Sequence, residues 1–188
     1  MTKKLEGFNK HFAIAGFRNV KIKDVNRFLE DVRREVKEAH VQFFDARLIA
    51  GQQHLYFAVL NAMRAFEKKL NISSNLAVEA LLYASAQRQI RKAVDMLGIK
   101  PDSSQVAVLV IAETRQGADL ALETISELMS GERDDHVLEL TDEKFEGIKK
   151  LFGVSDLEIE AKLRGEGFEK EALIDLVIEH VALLATQR

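Results

Sequence analysis

The chain alternates short, densely apolar runs with longer stretches in which apolar residues recur every three or four positions. Residues 105–113, QVAVLVIAE, form an almost unbroken β-branched run, the pattern of a strand covered on both faces at the centre of a sheet. Residues 11–17, HFAIAGF, and 41–46, VQFFDA, read as two further strands, and 136–140, HVLEL, as a short edge strand.

Helical spacing fills the intervals. Asp24 caps a helix carrying Val25, Phe28, Leu29, Val32 and Val36 on one face. Residues 52–70 place Leu55, Val59, Ala62, Met63 and Phe66 on a broad apolar face and leave a thin polar one. Ser73, Ser74 and Asn75 offer N-caps for a helix running to Ala84. Ser85 offers the next cap, for a helix closed by Gly98 and Pro101. Thr114 opens a helix with Ala118, Ala121, Leu122, Ile125, Leu128 and Met129 on one side and Gly131 at its end. Thr141 precedes Asp142 and Glu143, acids that suit the positive end of a helix dipole, and Gly153 closes that helix. SDLE at 155–158 is a capping box for another. These elements predict an α/β (α+β) fold, a single domain over residues 1–188, in which a small mixed sheet of about four strands packs with about seven helices.

Composition narrows the function. At 188 residues and 47% hydrophobic, the chain builds one substantial core. It has no cysteine for a disulfide, a thiolate metal site or a nucleophile, and no apolar run of signal-peptide or membrane-span length, which predicts a soluble cytoplasmic protein away from membranes. A net charge of −3 argues against broad wrapping of nucleic acid, so any such contact is local. There is no phosphate-binding glycine loop, HExxH or GxSxG, and GEGFEK after Leu163 and Arg164 lacks the third glycine of a dinucleotide loop. The five histidines are dispersed, and Asp134 and Asp135 read as solvated charges, so no catalytic residue, metal or cofactor is assigned.

Three stretches carry more information. In residues 84–102, Ser85 as N-cap puts Ile90, Ala93, Val94 and Leu97 on the buried side of a helix, with Arg88, Arg91, Lys92 and Asp95 outside. Gln87 and Arg88 then fall in the first turn, where free N–H groups complement a phosphate. The bland alternative is a solvated face with Arg91 paired to Asp95. In residues 44–55, Gly51 permits a tight entry into a helix, with Arg47, Gln52, Gln53 and His54 around it. At the C-terminus, Leu173, Ile174, Leu176, Val177, Ile178, Val181, Leu183 and Leu184 cover more of a helix than one core contact needs, so a second side meets either the rest of the fold or a partner.

Read together, residues 41–66 and 76–112, above all the order Glu79, Leu82, Ser85, Ile90, Ala93, Gly98, Ile99 ahead of the apolar strand, resemble the kinase-binding small subunit of the archaeal and eukaryotic KEOPS complex, a TPRKB-like family. The resemblance implies a non-catalytic subunit of a complex that installs the threonylcarbamoyl group on the adenosine beside the anticodon of ANN-decoding tRNAs. Its implied partners are the N-terminal lobe of the complex's small atypical kinase/ATPase, through it the catalytic threonylcarbamoyltransferase, and the single-stranded 3′-CCA end of tRNA. On that basis Arg47, Gln52, His54, Gln87, Arg88, Arg91 and Lys92 are expected to line the tRNA site, since RNA ends are gripped by a few local contacts. Leu60, Leu173, Val177, Val181 and Leu184 are expected at the kinase interface, whose centre must be apolar and desolvated. Two other readings stay open: a homo-oligomeric interaction module without RNA binding, and a small-molecule enzyme with a pocket between sheet and helices.

Overall fold

The structure is a computed structural model that describes residues 2–163 and 165–186. The apolar run at 105–113 becomes β4, Val106–Ala112, with every residue buried. It lies between β2, His11–Arg18, and β3, Ala39–Asp45, and runs antiparallel to both, with Ile14 opposite Leu109 on one side and Gln42 opposite the same Leu109 on the other. Two-residue strands β1, Lys3–Lys4, and β5, Glu132–Arg133, pair with opposite ends of the outer edge of β2. The expected α/β domain is found, and its sheet of five strands is antiparallel throughout.

The helices sort to the two faces by which side of the pleat they cover. Helix α1, Val25–Glu35, capped by Asp24, and α5, Arg115–Leu128, capped by Thr114, cover Ala13, Phe17, Phe43, Val108 and Val110. Helices α2, Gln52–Glu67, and α3, Leu76–Ala84, bury Phe12, Phe44, Leu109 and Ile111 on the other face. Helix α4, Ile90–Leu97, adds Ala93 and Leu97 to that layer. A third cluster joins α6, Asp142–Phe152, and α7, Asp156–Lys162, with its complete capping box at Ser155, to α8, Glu169–Leu183.

The segment 136–140 is not a strand. Asp134 accepts the His136 N–H at 3.1 Å and starts a 3₁₀ turn, Asp135–Leu138. Val137 and Leu138 are consecutive and both buried, a demand that a turn meets and a half-buried edge strand, with its alternating faces, does not. Glu132 and Arg133 take the place at the sheet edge.

Ser85 also differs from expectation. It ends α3: its hydroxyl donates to the Leu81 and Leu82 carbonyls at 2.9 and 3.1 Å. Ala86 follows at φ 51, and the N–H groups of Ala86 and Gln87 close onto the Tyr83 and Leu82 carbonyls, the paired bonds of a Schellman motif. Helix α4 therefore starts only at Ile90, with Gln89 as an N-cap that makes no side-chain bond.

Candidate functional site: the turn between α3 and α4 and its supports

The α2–α3 hairpin is anchored at both ends by buried polar groups. At the loop end, the Glu79 carboxylate accepts N–H bonds from Ile72 at 3.0 and 3.1 Å and from Ser73 at 2.7 Å, while Asn75 caps α3 through the N–H groups of Ala77 and Val78. At the other end lies His54, fully buried. Its Nδ1 accepts the Ala50 N–H at 3.3 Å, which leaves the proton on Nε2 to donate to the Ala84 carbonyl at 2.7 Å. Burial pushes His54 down to about 4, against the pull of that carbonyl, so the ring is neutral at physiological pH. His54 is thus a strut fixing the end of α3 to the start of α2, with no surface for RNA.

Beyond that strut the chain turns at Ala86 and displays its cations. Gln87 is half-buried, and Arg88, Arg91 and Lys92 are exposed. Arg88 lies near enough to Tyr83 to oppose the rise that burial and Glu79 impose on that phenol. The Arg91 to Asp95 pair of the bland alternative is not among the ion pairs of the described residues. Gln52 is exposed in the first turn of α2, next to Gly51 at φ 104.

Arg47 is already engaged. Its guanidinium makes a two-pronged contact with Asp45 at 2.6 and 2.9 Å and reaches Asp102 at 3.4 Å. Burial alone would raise the Asp45 carboxyl, but bonds from Arg47 and from Ser103 at 2.7 Å outweigh it and hold the group below the ordinary carboxylate range. The same partner raises Arg47. This arginine locks the end of β3 to the loop before β4, and its charge is largely spent there.

The helix that continues from this turn is oriented otherwise than its spacing suggests. Ala93 and Leu97 are buried, but Ile90 and Val94 are 48% and 45% exposed. They face a groove shared with α1, β3 and α3. The placement of the neighbouring elements produces this difference: Ala93 and Leu97 dock against the core, and the groove beside α1 and β3 leaves the other apolar pair uncovered.

Leu60, Leu173, Val177, Val181 and Leu184 all lie in the protein's own core. Helix α8 is apolar on two sides because α2 covers one and α6 with α7 the other. Its remaining outer surface includes Leu183, 53% exposed, and the half-buried Ile178. Among the described residues no cluster of metal-ligating side chains occurs and no helix is long and apolar enough to cross a membrane.

Spacing did not reveal the partners of Glu79, Asp45 or Lys144. The Lys144 ammonium donates to the Ala46 carbonyl at 2.8 Å, to that of Glu139 at 3.0 Å and to that of Val137, which ties α6 to the turns after β3 and β5. Burial pushes it down to about 8, against attraction from Asp45 and Glu139. The order from Glu79 to Ile99 is now readable as a structural sentence: a loop anchor, a capped helix end, a left-handed turn and a docked helix.

That segment sits inside a longer match. The family described as "Kinase binding protein CGI-121" matches residues 17–185, which takes in β3, β4, β5, the last two residues of β2 and helices α1 to α8. This chain belongs to the CGI-121 family. Among curated relatives, the "Regulatory protein Cgi121" of Methanocaldococcus jannaschii is 30% identical over 147 residues, covering 78% of this chain and 84% of the relative. The CGI-121 match takes in the α3–α4 turn, its Glu79 and His54 supports and the whole of α8.

Proposed function

We propose that this chain is a cytoplasmic, non-catalytic subunit of a KEOPS complex that binds the complex's small kinase/ATPase, and through it the threonylcarbamoyltransferase, and helps hold the 3′ end of tRNA. Membership of a family described as kinase-binding carries this reading. The relative's description as a regulatory protein supports it.

For RNA, the support is the exposed cluster of Arg88, Arg91 and Lys92, with Gln87 and Gln52, presented by a turn that Ser85, Ala86 and His54 hold rigid. A rigid mount suits a small contact, because little ordering entropy is lost on binding. Converting Arg88 and Arg91 to Glu should abolish the shift of tRNA on native gels. An unchanged shift in a folded double variant sinks the RNA role while leaving the kinase role standing.

For the kinase, the C-terminal end of α8 around the exposed Leu183 is the surface that an apolar partner would cover, with the buried Val181 and Leu184 beside it and Leu173 and Val177 further along the same helix in the core. Leu183→Asp should keep the fold and lose co-purification with the kinase. A folded variant that still co-purifies refutes this placement.

A further inference from the structure

The two edges of the sheet are finished differently. The outer edge of β2 is occupied at both ends by β1 and β5, short strands that bring Lys3, Lys4 and Arg133 to the rim, a common way of blunting an edge. Among the described residues no strand pairs with the outer edge of β3. The Ala46 N–H donates to the Gln105 carbonyl at 3.0 Å, one step beyond the Asp45 and Val106 pair. Since bonded and non-bonded pairs alternate in an antiparallel ladder, Phe44, Gln42 and His40 bond to β4, and Ala39, Val41 and Phe43 turn their N–H and C=O groups outward. The Gln42 side chain donates to the Phe43 carbonyl at 2.9 Å, as it does when that oxygen points away from the sheet.

This edge forms the floor of a groove of about 410 Å³. Leu29 and Arg33 of α1, with Val36 just after it, form one wall, and Val78 of α3 with Ile90 and Val94 of α4 the other. Among the described residues no aspartate or glutamate lines it, and the one fixed charge there is Arg33, which has no carboxylate partner among them. The half-exposed Ile90 and Val94 are the apolar pair that α4 leaves unburied.

We propose that the β3 edge is a docking site for an extended segment of another protein, which adds to the sheet as a strand beside Val41 and Phe43, places alternate apolar side chains against Ile90, Val94 and Leu29, and sets an aspartate or glutamate at Arg33. The outward backbone groups select an extended chain over a helix. The recess selects a single peptide over a second copy of this protein, because two β3 edges could meet only by driving their flanking α1 and α4 helices into one another. The lack of a second fixed cation in the groove disfavours a phosphate backbone.

The test is a selection of phage-displayed random octapeptides on the full chain, followed by fluorescence anisotropy with one selected, labelled peptide. Selected sequences should alternate β-branched or aromatic residues with polar ones and carry an acid. Binding should protect the Val41 and Phe43 amides from hydrogen exchange. Val41→Pro removes an outward N–H without breaking a bond to β4, at the cost of the Val41 side chain and of a fixed φ, and Ile90→Glu places a charge on the wall; each should weaken the peptide by roughly tenfold or more, with the unfolding midpoint of Ile90→Glu near that of the wild type. Arg33→Glu should weaken it too. No shared sequence pattern, a pattern at helical spacing, or affinity indifferent to Ile90→Glu overturns the proposal. So does a concentration-dependent doubling of mass that Ile90→Glu abolishes, which gives the groove to a second copy, or displacement of the peptide by a CCA oligonucleotide, which gives it to RNA.

Discussion

His54 shows how a residue can look functional and be structural. A histidine beside a glycine at a helix start invites a contact role, yet both ring nitrogens are spent on Ala50 and Ala84. The neutral ring has a consequence for stability. In the unfolded chain a histidine binds its proton near 6.5, and in the fold only near 4, so the unfolded state gains protons first as pH falls. Stability from this group is complete above about 6.5 and declines as pH drops towards 4, by up to about 3 kcal/mol. Urea midpoints from pH 7 to pH 4.5 should fall more steeply for the wild type than for His54→Gln, whose amide can serve both partners without titrating. Parallel curves would remove His54 from that account. Sequence spacing could not disclose this burial, because the carbonyl that holds the ring is thirty residues away in the chain. Ile90 and Val94 pose the converse problem: their helical spacing with Ala93 and Leu97 is plain, but which of the pairs is covered depends on where α1 and β3 lie.

At the level of elements, the strand β4 and the caps at Asp24, Asn75, Thr114 and Ser155 were legible because each is set by residues adjacent in sequence. Residues 136–140 and the start of α4 were not, because a 3₁₀ turn and a Schellman closure compete with the strand and the N-cap for the same residues. Ala86 stands where a glycine would carry no steric penalty. Ala86→Gly should therefore stabilise the protein by about 1 kcal/mol and raise the unfolding temperature by about 2–4 °C, measurable by calorimetry. No change would mean that the left-handed turn is unstrained. Lys144 gives the opposite outcome. Lys144→Met leaves three carbonyls without their shared donor, and should cost about 1–3 kcal/mol in urea unfolding.

Over the whole molecule, the fold class could be read from order and spacing and the family from the resemblance of residues 41–66 and 76–112, while the division of surface between core and partners could not. The two-sided apolar character of α8 is satisfied largely inside the fold, by α2 on one side and α6 with α7 on the other. Val177→Asp accordingly tests the core: with Val177 fully buried it should leave no folded protein to assay, seen as loss of a cooperative thermal transition. A retained transition would show that α8 is less tightly enclosed than its burial indicates.

The order of the strands also bears on how the protein is made. The central strand is the last of the three long ones to be synthesised: β2 and β3 flank β4 and touch it, but not each other. A ribosome that has released residues 1–104 has therefore delivered two long apolar strands whose β4-facing edges have nothing to pair with, and His11, already opposite Lys4 on its outer side, gains its inner partner only when Ala112 arrives. Until then the nascent chain carries two open edges, and sheet formation waits on a seven-residue segment that closes both pairings at once.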